Sequence, residues 1–270
     1  MLLPGNLFKK KEYIAFLFNV AMLKKERLSL ILREVNIHNK VILSDLSQKL
    51  GVSDDTIRRD LQELADDDKL IKVRGGALSK SYQAYSYKEN DIYAYQEKTM
   101  IARKAISMLK DDMLVLISGG STNLEIARIL PPELRVTFVT VSLSTAMQLM
   151  EHPNSETLFI GGNLSKSAKI AVGGEVIQHL SEIRPDICFL GVNGIDAKEG
   201  LTELEMEIVT VKRAMIKASR KVYALAIAEK LNSVRKMRVC NLSEIDGIIT
   251  ELNPQNPILA PYHNLKIQII

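Results

Sequence analysis

The chain has 270 residues, 46% of them hydrophobic and 25% charged, with a formal net charge of +4. That balance excludes general disorder and leaves chain enough for one large domain or two ordinary ones. Two cysteines, Cys188 and Cys240, form no C-x-x-C pair and cannot build a disulfide framework, so a reducing, cytoplasmic setting is expected. The charge is unevenly spread. Residues 1–80 hold 15 Lys+Arg against 11 Asp+Glu, and residues 81–270 hold the remaining 21 of each sign. An anionic partner is therefore expected for the first third.

Residues 1–23 read as an N-terminal extension. Lys9–Lys11 precede an apolar run, Ile14–Leu23, that imitates the start of a signal peptide. The run is too short to span a bilayer, and Asn19-Val20-Ala21 makes a poor cleavage site. Met22 opens a second plausible start. An upstream extension or misplaced start ranks first, an accessory helix second and an export signal last; no membrane partner is expected.

From Lys24 to Ser79 the pattern is that of short helices and a tight basic ribbon. Leu28, Ile31, Leu32 and Val35 have the spacing of one helical face. Ser44 is placed to cap a helix over Asp45–Leu50, which Gly51 stops. Ser53 caps a second, Asp54 to Ala65, with Ile57, Leu61 and Leu64 as its inward stripe. Leu70–Val73 and Ala77-Leu78, joined by Arg74-Gly75-Gly76, read as a two-stranded ribbon. With that stripe inward, Arg59 points outward and Thr56 and Arg58 flank it. Such a helix suits the major groove of double-stranded DNA: arginine pairs with guanine, while hydroxyls such as Ser44, Ser53 and Thr56 suit phosphate. Lys72 and Arg74 would grip the flanking backbone. Asp54, Asp55, Asp60 and Glu63 count against a strong nonspecific grip.

Residues 80–96 read as a linker holding five of the eight tyrosines. From Glu97 to Ile270 apolar strands alternate with helical patterns. Strands are expected at Met113–Ile117, Val136–Val141, Leu158–Ile160, Ile187–Gly191, Val222–Ala228 and Ile248–Thr250. Helices are expected at Lys98–Leu109, Asn123–Leu130, Ser144–Met150, Val176–Ile183 and Leu204–Ser219. This alternation implies an α/β domain with a mostly parallel sheet. Ser118, Gly119, Gly120, Ser121 and Thr122 lie between a strand and a helix start, the layout of an anion cradle, although an ordinary strand-to-helix turn looks the same. The four histidines are dispersed, with no ligand spacing for a metal and no fingerprint of a nucleotide cofactor. Glu203, Glu205 and Glu207 near a helix start are better explained by the helix dipole than by general-base chemistry.

The string Val52-Ser53-x-x-Thr56-Ile57-Arg58-Arg59-Asp60-Leu61, with Lys72-Val73-Arg74-Gly75-Gly76-Ala77 behind it, closely resembles the winged helix-turn-helix of DeoR-type transcriptional repressors. The resemblance continues through Glu97-Lys98, Gly161-Gly162, Phe189–Asp196, Gly200–Thr202, Val211–Met215 and Ile249-Thr250. It implies a repressor of sugar-metabolism genes with an α/β sensor domain of the ribose-5-phosphate-isomerase type, relieved by a phosphorylated sugar. The effector positions it implies are Ser118–Thr122, Gly194, Asp196, Lys212 and Lys230, with Asp196 open between lining the cleft and capping a turn. Ile117, Val141 and Ile227-Ala228-Glu229 depart from the family, which has Asp, Asn and Asp-His-Ser there. An isomerase-like enzyme, or a regulator whose pocket has diverged or been lost, is the alternative. A single short reading helix touches few base pairs, so a homo-oligomer paired through the α/β domain is expected.

Overall fold

The computed structural model describes residues 22–38, 40–80 and 92–270. The expected extension, apart from Met22 and Leu23, and most of the expected linker lie outside the described residues. The chain divides into two compact units, residues 1–83 and 84–270.

The first unit runs α1 (Lys24–His38), β1 (Lys40–Ile42), α2 (Leu43–Leu50), α3 (Asp54–Asp66), β2 (Leu70–Val73) and β3 (Gly76–Ser79). Ile31 and Val35 of α1, Leu46 of α2 and the stripe Ile57, Leu61 and Leu64 of α3 close one apolar core. Gly51 ends α2 in the left-handed conformation at φ 64°. Two expectations are corrected. Ser44 caps nothing: α2 already begins at Leu43, directly after β1, and the Ser44 hydroxyl bonds Asp45 instead. The ribbon is a three-stranded sheet in the order β1-β3-β2, because β1 pairs Lys40–Ile42 with Leu78–Gly76. Gly76 has to be glycine, since a Cβ there would lie 2.0 Å from the Val41 carbonyl oxygen.

The second unit is built on a seven-stranded, wholly parallel sheet. Its strands are β4 (Leu114–Ile117), β5 (Thr137–Thr140), β6 (Glu156–Phe159), β9 (Ile187–Gly191), β12 (Val222–Leu225), β14 (Gly247–Ile249) and β15 (Gln268–Ile269). Their order across the sheet is β15-β14-β12-β9-β4-β5-β6. Five helices accompany it: α4 (Tyr95–Ile106), α5 (Ser121–Arg128), α6 (Leu143–Leu149), α7 (Gly174–Ser181) and α8 (Met206–Ala218). Side chains alternate along the buried strands, so Val115, Ile117 and Phe138 enter one core while Leu116, Val139 and Leu190 enter the other.

In the second unit α4 to α7 start one to three residues earlier than the apolar periodicity suggests, most visibly at α4, whereas α8 starts two residues later, at Met206. Tyr95 and Gln96 are helical rather than linker. The strand expected over Val222–Ala228 stops at Leu225, and a 3-10 turn takes up Ala228–Lys230. Two small antiparallel additions were not anticipated. One is the pair β7 (Asn163–Leu164) and β8 (Ala171–Val172); the other is the sheet of β10 (Gly194–Asp196), β11 (Gly200–Glu203) and β13 (Met237–Cys240).

Candidate nucleic-acid interface and effector crevice

α3 is built as a reading helix from its first residue. Ser53 is extended (φ −68°, ψ 154°) and its hydroxyl accepts the Thr56 amide at 3.2 Å. Ser53 and Thr56 hydroxyls are also 2.9 Å apart, on the outer end of the helix. With the stripe buried, Arg58 and Arg59 are exposed. Arg58 pairs with Asp55 one turn back. Arg59 makes no hydrogen bond or ion pair among the described residues. Lys72 of β2 reaches this face too, donating to Gln62 Oε1 at 2.8 Å and the Arg58 carbonyl at 3.4 Å. Arg74 stands exposed at the ribbon tip beside Gly75, whose φ of +79° makes the turn. Thr56, Arg58, Arg59 and Lys72 are therefore brought together; Ser44 is not.

The acids on α3 are disposed of one by one. Asp60 is turned inward, 2% exposed, and accepts from Arg27 Nε at 2.6 Å and Nη2 at 3.1 Å. Glu63 pairs with Lys24 at 2.5 Å. Summed charge along the helix thus understates how basic its outer middle is. The count against DNA is thereby corrected for Asp60 and Glu63, while Asp54 and Asp55 stay exposed at the start of the helix.

In the second unit, the chain lays β4, β5 and β6 toward one edge and then β9, β12, β14 and β15 toward the other. The order reverses between β4 and β9. The carboxyl ends of those two strands are the topological switch point, the place where open parallel sheets hold ligands. Ser118–Gly120 and the start of α5 form one wall. The Ser118 hydroxyl accepts from the Gly191 amide and Asn123 Nδ2, both at 2.8 Å. Its hydrogen-bonding capacity is spent on the loop, so Ser118 shapes the cradle rather than contacting a ligand. A Cβ on Gly191 would stand 2.8 Å from the Gly119 carbonyl, and one on Gly119 would stand 2.8 Å from Ile170 Cγ2. Gly120, at φ +107°, caps α5 in a conformation that favours glycine. Ser121 and Thr122 are half-exposed on the first turn of α5. Asn123 Oδ1 is buried with no partner among the described residues, an acceptor that a ligand hydroxyl or a water would satisfy.

Lys230 does not follow a strand next to β4, because β9 intervenes between β4 and β12. Its Nζ instead donates to the Val192 carbonyl at 2.7 Å, just past β9. Lys212 is buried in an ion pair with Glu203, whose other oxygen accepts from Asn193 Nδ2 at 2.7 Å. Gly194 and Asp196 are structural. A Cβ on Gly194 would meet the Ser233 carbonyl at 2.7 Å, and Asp196 caps a turn through the Lys198 and Glu199 amides.

Sequence reasoning missed Lys98 and Glu229. The Lys98 ammonium is 5% exposed and donates to the Tyr93 carbonyl. The Tyr93 hydroxyl donates to Glu229 Oε2 at 2.6 Å. A signal for Lys98 existed: it occupies a core position on the buried stripe of Ile101, Ala102 and Ala105. Burial pushes Lys230 down to about 7, and the fields of Lys98 and Lys212 push the same way against that of Glu203. Burial likewise brings Lys98 to about 8, opposed by Glu97 and Glu229. Desolvated cations that give up their protons this readily are what an added anion would recharge. At the departing positions, Ile117, Val141 and Ile227 are all core residues, 0–3% exposed.

The family described as DeoR-like helix-turn-helix domain matches residues 27–83, and the family described as DeoR C terminal sensor domain matches residues 93–252. Among curated relatives, the HTH-type transcriptional repressor GlcR of Bacillus subtilis is 33% identical over 237 residues, covering 86% of this chain and 90% of that protein. The HTH-type transcriptional regulator GolR of Listeria innocua is 30% identical over 228 residues, covering 84% and 90%. The glycerol-3-phosphate regulon repressor of Escherichia coli is 27% identical over 249 residues, covering 92% and 99%. Among solved structures, ribose 5-phosphate isomerase A of Methanocaldococcus jannaschii aligns over 49% of this chain and 52% of its own at 20% identity, with a TM-score of 0.36. The translation initiation factor eIF-2B of Pyrococcus horikoshii covers 85% and 88% at 13% identity, with a TM-score of 0.44. On the two matched regions and the relatives that span both of them, the chain belongs to the DeoR family of helix-turn-helix transcriptional regulators.

Proposed function

We propose that the protein is a cytoplasmic repressor of carbohydrate-metabolism genes that binds a double-stranded operator as a homo-oligomer. Occupation of the β4/β9 crevice by a phosphorylated sugar releases it. The observation that carries the DNA half is the exposed, unengaged Arg59 on an N-capped helix, flanked by Thr56 and the Lys72-bearing ribbon. Arg59 is assigned to a guanine edge; Thr56, Ser53, Arg58, Lys72 and Arg74 to phosphates. The relatives, a repressor and a glycerol-3-phosphate regulon repressor among them, support the carbohydrate assignment.

For the effector, the backbone amides at the head of α5 and the Ser121 and Thr122 hydroxyls take the phosphate, and the Lys230–Lys98 side supplies positive field. We read the crevice as a sensor rather than an isomerase centre. Its buried carboxylate, Glu203, is already engaged by Lys212, Asn193 and the Leu204 amide and is not poised as a base. Release follows if the ligand prefers the conformation with low operator affinity, since equal affinity for both shifts nothing.

The test is fluorescence anisotropy of the protein on DNA upstream of its own coding region, with and without a panel of sugar phosphates. A Ser121→Glu variant places a carboxylate at the head of α5 without the backbone strain that any side chain would bring to Gly120. Expected is operator binding by both proteins and release by at least one sugar phosphate for the wild type only. Equal release of both proteins would move the effector elsewhere. No sequence-specific binding would remove the repressor reading.

A further inference from the structure

The parallel sheet has two open edges, and they differ. β15 is a two-residue strand whose Ile269 is half-buried. β6 is a full strand, and the large side chains on it and on the α6 segment packed beside it are apolar and exposed: Met147 is 50% exposed, Met150 75%, Leu158 52% and Phe159 41%. The other exposed large apolar side chains of this unit, Met100, Leu164, Met206, Val234 and Ile258, come singly from separate elements.

The backbone of β6 shows what the edge can accept. Glu156 and Ile160 amides donate inward, to the Val136 and Thr140 carbonyls beside β5. The alternate residues, Thr157 and Phe159, therefore turn their N–H and C=O groups outward, where only another strand satisfies them in register. Register with β5 assigns the faces: Phe159 shares the side of Thr140, and Leu158 that of Val139. The apolar surface thus wraps both sides of one open edge, a feature that monomeric proteins avoid.

We propose that β6 is the pairing strand for a second copy of this chain. The two β6 strands run antiparallel about a two-fold axis through Leu158, extending one parallel sheet into the next. In that register Leu158 opposes Leu158 of the partner subunit, Thr157 opposes the partner's Phe159, and Glu156 is kept from its own copy. Met147 and Met150 of α6 then close the Phe159 side. At about 200 Å² for a fully exposed side chain of this size, the four residues offer roughly 440 Å² per chain. Two chains reach about 900 Å² before any backbone is counted, and the paired strand backbones bring that to about 1,000 Å², the lower bound of a specific interface. A second copy is the occupant because an isologous strand pair satisfies both edges at once. The inference rests on the reading above that a dyad operator requires paired helix-turn-helix units.

The wild type is sized by analytical ultracentrifugation, and Leu158→Cys is oxidised and run without reductant. A non-hydrogen-bonded antiparallel pair sets Cα atoms about 4.5 Å apart, within disulfide reach. Native Cys188 and Cys240 are buried and do not compete. Expected are an even-numbered oligomer, a cross-linked band at twice the chain mass, and no such band for Ile258→Cys. Phe159→Asp and Leu158→Asp should halve the particle mass with an unshifted thermal melt and weaken operator binding at least tenfold. A monomeric wild type, an unchanged mass in both aspartate variants, or an oligomer that Leu158→Cys does not cross-link would each overturn the β6 interface. If the cross-link and the mass change appear but no DNA is bound, the interface stands and the repressor reading fails.

Discussion

Replacing Arg27 with alanine strips the counter-charge from Asp60, a carboxylate held on the inner face of the reading helix. The Asp60 side chain is 3% exposed and the Arg27 side chain 12%, with Nε–Oδ2 at 2.6 Å. Removing one partner of a buried pair costs about 3–5 kcal/mol, because the other charge is left without solvent or partner. The exposures predict an asymmetry within that range. Arg27→Ala strands the better-buried group and belongs near 5 kcal/mol; Asp60→Ala leaves a guanidinium that retains some water and belongs near 3 kcal/mol. A unit the size of the helix-turn-helix match has about 3–8 kcal/mol in total, at roughly 0.05–0.15 kcal/mol per residue. Arg27→Ala should therefore bring the DNA-binding unit close to unfolding at room temperature while the sensor unit melts as before. The assay is scanning calorimetry of the full chain, with operator affinity measured alongside, and the Arg27→Met/Asp60→Leu double variant as control. That double variant should recover most of the loss, since apolar replacement of both partners leaves no stranded charge. Losses below 1 kcal/mol for both single variants, or a double variant worse than either, would refute the reasoning.

Four further outcomes are expected. Arg59→Ala should cost roughly 1–3 kcal/mol on the native operator and relax preference at one base position, whereas Lys72→Ala should weaken all sequences alike; binding-site selection on randomised operators separates the two. Gly191→Ala drives a methyl into the Gly119 carbonyl and should abolish the effector response while leaving operator affinity within twofold, read by anisotropy. Lys230 and Lys98 sit at about 7 and about 8 when folded and at the ordinary 10.5 when unfolded, so the unfolded chain binds more protons between pH 7 and 9 and stability climbs with pH across that window. Above pH 9 the unfolded cysteines ionise while burial holds Cys188 and Cys240 at about 12, which offsets the lysine slope and reverses it just below pH 10, so thermal melts should peak between pH 9 and 10 and Lys230→Met should flatten the lower limb. A bound phosphate recharges the two lysines, so effector binding should take up protons at pH 8, seen calorimetrically as a heat that depends on the buffer's ionisation enthalpy.

What could be read from the sequence divides along physical lines. α3 was legible because three signals agree: a Ser cap, an apolar stripe and a glycine stop one element earlier. The strands of the parallel sheet other than β15 are legible as apolar runs between turn signals. β1, β10, β11, β13 and β15 are not, because their partners are set by tertiary contact, as when Thr202 of β11 finds Arg238 of β13. Asp60 was misjudged because composition counts charge without direction, and only burial shows that its charge is spent on Arg27. Gly194 is assigned to the ligand from its place in a family string, yet close packing against Ser233 accounts for it; for Asp196, open between cleft and turn, the Lys198 and Glu199 amides supply the turn. Lys98 carried a signal that went unused, a lysine among alanines and isoleucine on the inward face of a helix.

Tyr93 stands just ahead of the first helix of the second unit, α4, and ties two charged side chains together. Tyr93 grips Glu229 through its hydroxyl and Lys98 through its carbonyl, and Lys98 lies in the first turn of α4 and in the field of Lys230. On the proposed function, a ligand that drew Lys98 or Glu229 toward itself would act on Tyr93 directly, with no relay through the sheet. Signal strength would then depend on how firmly Tyr93 holds, so Tyr93→Phe should yield a repressor that still recognises its operator and its effector but couples the two less tightly.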